Sequence, residues 1–202
     1  MTGTPTRDRR GERHAATRHE ILDVAWQICR HQGLAALSLR DVADAMGMRA
    51  PSLYSYFPSK HAIYDAMFAD AAREFLASQA APAATGDALA GLKASLRGFV
   101  EFCTEDPSRY QLLFQRTIPG FEPSADSFAI AVAALDATRD RLASYGINEP
   151  RALDLATAIG TGLADQQISN DPDGDRWLRL VDEAVEMFYA HHTRRQRRSR
   201  AR

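Results

Sequence analysis

The chain has 202 residues, of which 45% are hydrophobic and 25% are charged, a composition typical of a folded protein of one or two domains. This composition excludes a mainly disordered chain, and Cys29 and Cys103 lie in no zinc-binding or disulfide spacing. No run of about 18 apolar residues is present. We therefore expect neither a membrane span nor a signal peptide, and a reducing cytoplasm fits the cysteines best.

Charge is unevenly distributed along the chain, although the net charge is only -1. Residues 1–60 hold 9 basic and 6 acidic side chains, and residues 191–202 hold 6 arginines and no acid. Residues 61–190 hold 10 basic and 20 acidic side chains. A basic N-terminal segment followed by an acidic segment is expected where only the N-terminal segment binds a polyanion. Charge therefore favours a nucleic-acid partner, although solvated basic tails without a specific role would give the same counts.

Helical spacing of hydrophobic residues runs through almost every segment, and no segment alternates with the period of a strand. The pattern predicts an all-α fold. The first helix is predicted to begin at Thr17, because Thr17 and Glu20 form a capping-box pattern, and to end before Gly33.

Two short helices are predicted next. Ser38 and Asp41 form a second capping-box pattern, ahead of a two-turn helix that ends at Gly47. A further helix begins near Pro51, where the missing N–H has no helical partner, and Pro58 is predicted to end it.

The rest of the chain predicts longer helices. Ser59 is expected to cap a fourth helix, which ends in an Ala/Pro/Gly-rich hinge at residues 79–87. Asp106 and Pro107 predict a cap and a first-turn proline, and residues 117–124 a loop. Further helices are predicted from the hinge to Cys103, after Asp106, from Phe128 to Leu142, and at about residues 152–168 and 175–190.

The most informative stretch is residues 37–60. A capped short helix, a tight turn and a second short helix form a helix-turn-helix, whose second helix is suited to a major groove. The residues that carry a resemblance are Arg40, Val42, Ala43, Gly47, Leu53, Tyr54, Tyr56, Phe57, Ser59 and Lys60. At these spacings residues 17–65 resemble the DNA-binding domain of the TetR family of transcriptional regulators.

The resemblance implies which side chains of the two short helices contact double-stranded DNA. Leu53 and Phe57 lie four residues apart and are expected to pack in the core, where they would contact no base. Base contacts are expected from Arg40, Ala50, Pro51, Ser52 and Ser55. For Arg40 a solvated surface position remains the alternative. The small side chains at the helix start can approach base edges closely.

Phosphate contacts position a protein on DNA without reading its sequence, and they come from Lys, Tyr and helix N-termini. The expected phosphate contacts are Thr17, Ser38, Tyr54, Tyr56 and Lys60. Arginines ahead of the first helix could enter a minor groove or only lie near phosphates. These arginines are Arg7, Arg9, Arg10 and Arg13.

The resemblance also implies a helical domain that binds a small-molecule effector and forms a homodimer. Aromatic and aliphatic side chains line most ligand pockets, although each one taken singly is more often plain core. Candidate pocket residues are Phe99, Phe102, Cys103, Tyr110, Phe114, Phe128 and Trp177. The last two helices are expected to form the dimer contact, through Leu155, Ile159, Leu163, Leu178, Val181, Val185 and Phe188.

No catalytic, metal or dinucleotide motif is present in the sequence, so we expect no enzyme activity, no metal site and no cofactor. The predicted organisation is a disordered basic arm (residues 1–16), a helix-turn-helix domain (17–62), a ligand-binding and dimerisation domain (63–190) and a disordered basic tail (191–202). The expected function is a ligand-responsive repressor that binds a near-palindromic operator as a dimer, on the nucleoid in the bacterial cytoplasm. The alternative is an all-α small-molecule binding or catalytic protein whose helix-turn-helix no longer binds DNA.

Overall fold

The structure is a computed structural model that describes residues 9–79 and 87–200, with side chains described through Thr193. No strand occurs within these two ranges, and the predicted all-α fold is confirmed. The predicted hinge lies outside the described residues except for its ends, Gln79 and Asp87. The helices are α1 (Arg9–Gln32), α2 (Leu39–Ala45), α3 (Ala50–Tyr54), α4 (Lys60–Gln79), α5 (Ala88–Glu105), α6 (Pro107–Phe114), α7 (Ala125–Ser144), α8 (Pro150–Asn170) and α9 (Val181–Arg200), with 3-10 turns at Leu34–Ala36 and Leu178–Leu180.

The N-terminal arm is the first correction to the sequence analysis. Helix α1 begins at Arg9, so the prediction of a disordered arm is wrong for residues 9–16, while residues 1–8, with Arg7, lie outside the described part. Thr17 therefore lies inside the helix, and the predicted cap at Thr17 is wrong. Arginine, glutamate and alanine favour helix in this segment, and no proline interrupts it. Glu12 in the first turn also complements the helix dipole.

Three other helix ends also differ from their predicted positions. Helix α9 continues to Arg200, so the predicted disordered tail is wrong for residues 191–200. It begins at Val181 after a 3-10 turn, later than the predicted residue 175. Helix α3 ends at Tyr54, and the chain turns at residues 55–56 before it reaches Pro58.

Side-chain caps occur at two other positions where the sequence predicts them, Ser38 and Ser59. The Oγ of Ser38 accepts the N–H of Asp41 at 3.1 Å and donates to the carboxylate of Asp41 at 2.6 Å. Ser59 Oγ accepts the N–H of Ala62 at 3.1 Å at the start of α4. Each cap satisfies a backbone donor that the helix itself leaves unpaired.

Two hydrophobic clusters form the core. The first joins α1–α3 to the beginning of α4, a unit that we call the headpiece, and it includes Leu112 from α6 and Ile118 from the loop after α6. The second lies among α5–α9 and the end of α4. Helix α4 runs from the headpiece along α7. The headpiece core is therefore continuous with the part of the C-terminal domain around α6 and α7. Among the described residues no helix is long and apolar enough to cross a membrane.

The predicted dimer residues on α9 face the interior of the protomer instead. Val181, Val185 and Phe188 are at most 8% exposed and belong to the second cluster. The prediction that these three side chains contact a partner subunit is therefore wrong. Periodicity shows that a helix face is buried, but it does not show whether the covering surface belongs to the same chain.

Candidate nucleic-acid interface

The turn between α2 and α3 sets the geometry of the helix-turn-helix. Gly47 has a φ of +63°, in the left-handed region that glycine adopts at low cost. The N–H of Met48 donates to the carbonyl of Ala43 at 2.8 Å and closes the end of α2. Helix α3 then begins at Ala50 with Pro51 in its first turn. These local features change the direction of the chain between α2 and α3 within a few residues.

Helix α3 presents one face to solvent. Leu53 and Phe57 are at most 1% exposed, as expected from their spacing, and they hold α3 and the turn after it against α1. All four predicted base-contact residues of this segment are exposed: Ala50, Pro51, Ser52 and Ser55. The Oγ of Ser55 donates to the carbonyl of Ser52 at 2.7 Å. The structure therefore brings these side chains together on one accessible surface.

Arg40 and Tyr54 extend this surface on either side. The side chain of Arg40 is 88% exposed, and its Nε lies 3.7 Å from the carboxylate of Asp44, one turn further along α2. Such an exposed pair contributes at most about 0.5 kcal/mol, so a phosphate or a guanine could replace Asp44 at little cost. Tyr54 is 52% exposed, unusual for a large ring in a folded domain.

Lys60 contacts the turn that precedes Ser38, although Lys60 and Ser38 are 22 positions apart in the chain. Lys60 is the first residue of α4, and its Nζ approaches the carbonyl of Ala35 at 3.4 Å, in the turn that precedes Ser38. The hydroxyl of Tyr64 donates to the carbonyl of Leu34 and fixes the same turn to α4. Burial raises the pKa of Tyr64 to about 12, so this hydroxyl keeps its proton. Lys60 and Ser38 can therefore meet one phosphate backbone.

Tyr56 and Thr17 are less accessible than the sequence analysis expected. Tyr56 is half-buried, and the ring of His14 stacks on it with 4.6 Å between centroids. Its carbonyl accepts Nη1 of Arg18 at 2.5 Å, and the guanidinium of Arg18 lies 4.1 Å from the ring centroid of Phe57. Thr17, also half-buried, lies in the middle of α1.

The early turns of α1 therefore support the turn that follows α3. Sequence reasoning missed His14 because it placed residue 14 in a disordered arm, and it placed Arg18 in the first turn of the helix without a contact to this turn. Their spacing of four residues, on the helix that carries Ile21 and Leu22, is the signal that could have identified them.

Two neighbouring cavities lie in the C-terminal domain. The smaller has a volume of about 90 Å³ and is lined by residues of α4–α9. The larger has a volume of about 650 Å³ and is lined by residues of α4, α6, α7, α8 and the loop at residues 115–124. Four residues contribute to the walls of both: Phe75, Phe114, Leu135 and Thr157. The volume of the larger cavity and the mostly apolar walls of both are suited to a small organic ligand.

Three of the seven predicted pocket residues line these cavities. Phe99 lines the smaller one, Phe128 the larger one and Phe114 both. Phe102 packs instead under the guanidinium of Arg109, 3.9 Å from the ring centroid. Tyr110 donates its hydroxyl to the carbonyl of Thr161 at 3.3 Å.

The remaining two predicted pocket residues also lie outside both walls. Cys103 is fully buried, and burial raises the pKa of its thiol to about 12. Trp177 donates its backbone N–H to Oε1 of Gln167 at 2.9 Å. Sequence reasoning missed two polar wall residues of the smaller cavity, Gln79 and Arg141, because it searched for aromatic side chains.

Hydrogen bonds join the headpiece to the helices around the cavities. Nε of Arg30 donates to the carboxylate of Asp106 at 2.8 Å, and Asp106 caps α6 by accepting the N–H of Arg109. The backbone N–H of Ser124, which caps α7, donates to the carboxylate of Asp65 on α4 at 2.6 Å. The N-termini of α6 and α7 are thus fastened to α1 and α4.

Known proteins resemble this chain in sequence and in fold. The model of the family described as bacterial regulatory proteins, tetR family, matches residues 21–67. The transcriptional repressor KstR2 of Rhodococcus jostii is 40% identical over 65 residues, which cover 32% of this chain and 31% of KstR2. The transcriptional activator FasR of Mycolicibacterium smegmatis is 26% identical over 200 residues, which cover 90% of this chain and 89% of FasR.

A solved structure matches over nearly the whole chain. The crystal structure of SCO4313 has a TM-score of 0.74 and 26% identity, and the match covers 92% of this chain and 98% of that chain. The matched segment of the family model contains α2, α3 and the exposed surface described above. We conclude that residues 21–67 form a helix-turn-helix domain of the TetR family of bacterial regulatory proteins, and that the whole chain resembles TetR-family transcriptional regulators in sequence and fold.

Proposed function

We propose that the protein represses transcription as a homodimer on a near-palindromic operator and that a small molecule in its C-terminal cavities controls its DNA affinity. The observation that carries this proposal is the one-sided exposure of α3, with Leu53 and Phe57 fixed in the core and Ala50, Pro51 and Ser52 free to meet bases. A surface of this kind fits the major groove.

The charges around α3 support the same interface. Lys60 lies at the start of α4 and Ser38 at the start of α2, so two helix N-termini accompany α3. Backbone N–H groups at such ends favour phosphate. Arg40 forms a weak, exposed pair with Asp44 on the same helix. Phosphates on both sides of one groove can thus position α3, whose side chains select the bases.

Exposed apolar side chains on α8 and α9 support a dimer. Leu155 is 40% exposed and Met187 is 64% exposed, and each occupies the outer face of its helix. Gly162 has no atom within 4 Å of the position that a Cβ would take, so this part of α8 is open to the close approach of another helix. A two-fold contact across this face would place two headpieces on successive half-sites, about 34–36 Å apart.

The contacts between the domains support control by a ligand. The loop after α6 lines the larger cavity, while Ile118 of the same loop belongs to the headpiece core. A molecule that moves this loop therefore acts directly on the residues that hold the headpiece. A shift of a few ångströms in headpiece spacing would misalign one half of the dimer on the operator and lower its affinity.

The test is selection of the purified protein against a random DNA library, followed by titration of the enriched site at several salt concentrations. Lys60→Ala should weaken binding and reduce the slope of log affinity against log salt by about one. Lys93→Ala is the matched control, because Lys93 pairs with Glu186 at 2.5 Å in the C-terminal domain. Tyr54→Ala should weaken the enriched site by more than about 1 kcal/mol.

Three results would contradict the proposal. These are enrichment of no palindrome, equal salt slopes for the two lysine variants, and a monomer in sedimentation experiments at operator-binding concentrations. A promoter-reporter assay then measures the direction of control, and activation by the bound protein would contradict repression.

A further inference from the structure

The smaller cavity contains one ionisable group in an otherwise neutral wall. Arg141 on α7 lines it, and its Nη1 donates to Oε1 of Gln79 and to Oγ of Ser95, each at 3.3 Å. Both acceptors are neutral. The other lining residues are apolar or carry hydroxyl groups. The guanidinium is therefore hydrogen-bonded by this wall but not neutralised by it.

Several other arginines of the C-terminal domain are paired with carboxylates. Arg139, two residues away on the same helix, pairs with Asp136, and Arg109 pairs with Glu74 and Glu105. For Arg141 no carboxylate of the described residues lies within 4.0 Å. A half-buried charge against apolar walls is costly unless an anion accompanies it.

We propose that the effector is an aliphatic monocarboxylate whose carboxylate pairs with Arg141. This assignment rests on the proposed ligand control and specifies the chemistry of the ligand. A guanidinium binds a carboxylate through two parallel hydrogen bonds, and one arginine matches the charge of one carboxylate. A phosphate monoester carries up to two negative charges, and the wall of this cavity offers a single cation.

The two cavities together determine how far the aliphatic chain extends. The smaller volume of about 90 Å³ corresponds to about three water-sized groups. A longer chain has to pass the rings that stand between the cavities. Phe114 forms edge contacts with Phe75 and Phe99, with centroids 5.3 and 5.4 Å apart. The tail then enters the larger cavity, beside the loop that holds the headpiece.

The test is calorimetric titration of butanoate, hexanoate, octanoate and decanoate, each compared with the primary alcohol of the same length. In the unmodified protein, at least one carboxylate should bind about tenfold or more tightly than its alcohol, because the alcohol keeps the chain and lacks the charge. Arg141→Gln should remove this preference and leave the alcohol affinities unchanged. Arg139→Gln is the matched control and should bind as the unmodified protein does.

Chain length gives a second readout. Butanoate extends least beyond the smaller cavity and should bind without releasing operator DNA, whereas decanoate should reach the larger cavity and release it. Arg141→Lys retains a cation with different geometry and should keep part of the preference for carboxylates. Circular dichroism and thermal unfolding check that each variant folds.

The carboxylate assignment is overturned if no acid binds, if acids and alcohols bind equally, or if Arg141→Gln and Arg139→Gln behave alike. Operator binding by the same preparations separates this failure from failure of the proposed function. Salt-dependent operator binding without carboxylate binding refutes only the ligand class, while absence of both also refutes the regulator.

Discussion

Asp106 combines two roles whose contributions to stability can be separated by substitution. Its Oδ1 accepts the N–H of Arg109 and caps α6, while its Oδ2 pairs with Arg30 of the headpiece at 2.8 Å. Asp106→Ala removes both interactions. Asp106→Asn removes the charge and keeps a side chain that caps helices as well as aspartate does. The two variants thus distinguish the cap from the contact between the domains.

The expected magnitudes follow from the exposure of the groups. Loss of the cap costs about 1 kcal/mol, within a range of about 0.5–2. The side chain of Arg30 is 51% exposed, so solvent screening limits the ion pair to about 0–1 kcal/mol. Asp106→Ala should therefore lower the free energy of unfolding by about 0.5–3 kcal/mol, and Asp106→Asn by about 1 kcal/mol or less. For a chain of this size the Tm should fall by about 1–12 °C in Asp106→Ala and by at most about 4 °C in Asp106→Asn.

Thermal unfolding followed by circular dichroism measures both variants, with Arg30→Ala as a third. The cost of Arg30→Ala should be close to that of Asp106→Asn, and adding Arg30→Ala to Asp106→Asn should cost little more, since the pair is already broken. The reasoning is refuted if Asp106→Asn is as destabilising as Asp106→Ala, or if Asp106→Ala leaves the Tm unchanged.

Three further predictions concern packing, titration and the turn. A Cβ at Gly160 would lie 2.7 Å from the ring of Phe99. Gly160→Ala should therefore push this ring toward the smaller cavity, destabilise the fold by about 1–3 kcal/mol and weaken ligand binding in calorimetry. An unchanged Tm and an unchanged ligand affinity would contradict this prediction. Burial raises the pKa of Cys29 to about 11 and that of Cys103 to about 12, which favours the neutral thiols of the folded state. The free energy of unfolding should therefore fall as pH rises above about 9, and it should fall less in the variant with both cysteines replaced by alanine. Equal pH dependence of the variant and the unmodified protein would count against this cause. Gly47 has a φ of +63°. Gly47→Ala should therefore lower the free energy of unfolding by about 1 kcal/mol in denaturant titrations, and Gly47→Asn should lower it less. A larger loss for Gly47→Asn than for Gly47→Ala would contradict this prediction.

The sequence by itself was sufficient for features that depend on neighbouring residues. The cap at Ser38, the left-handed turn at Gly47 and the first-turn position of Pro51 are each determined within a few residues, so the helix-turn-helix could be predicted. The burial of Leu53 and Phe57 followed from their spacing. Helix ends without a strong stop signal were predicted less well, as the start of α1 at Arg9 shows.

The tertiary structure alone decided what each buried face packs against. Periodicity could not show that Val181 and Val185 pack inside the protomer, or that Cys103 lies in the core and not in a cavity wall. It also gave no signal for Arg141, because a single arginine on a helix is usually solvated. Only the packing of α4, α5 and α7 places its guanidinium at an apolar cavity, where the apolar surroundings make an unneutralised charge costly.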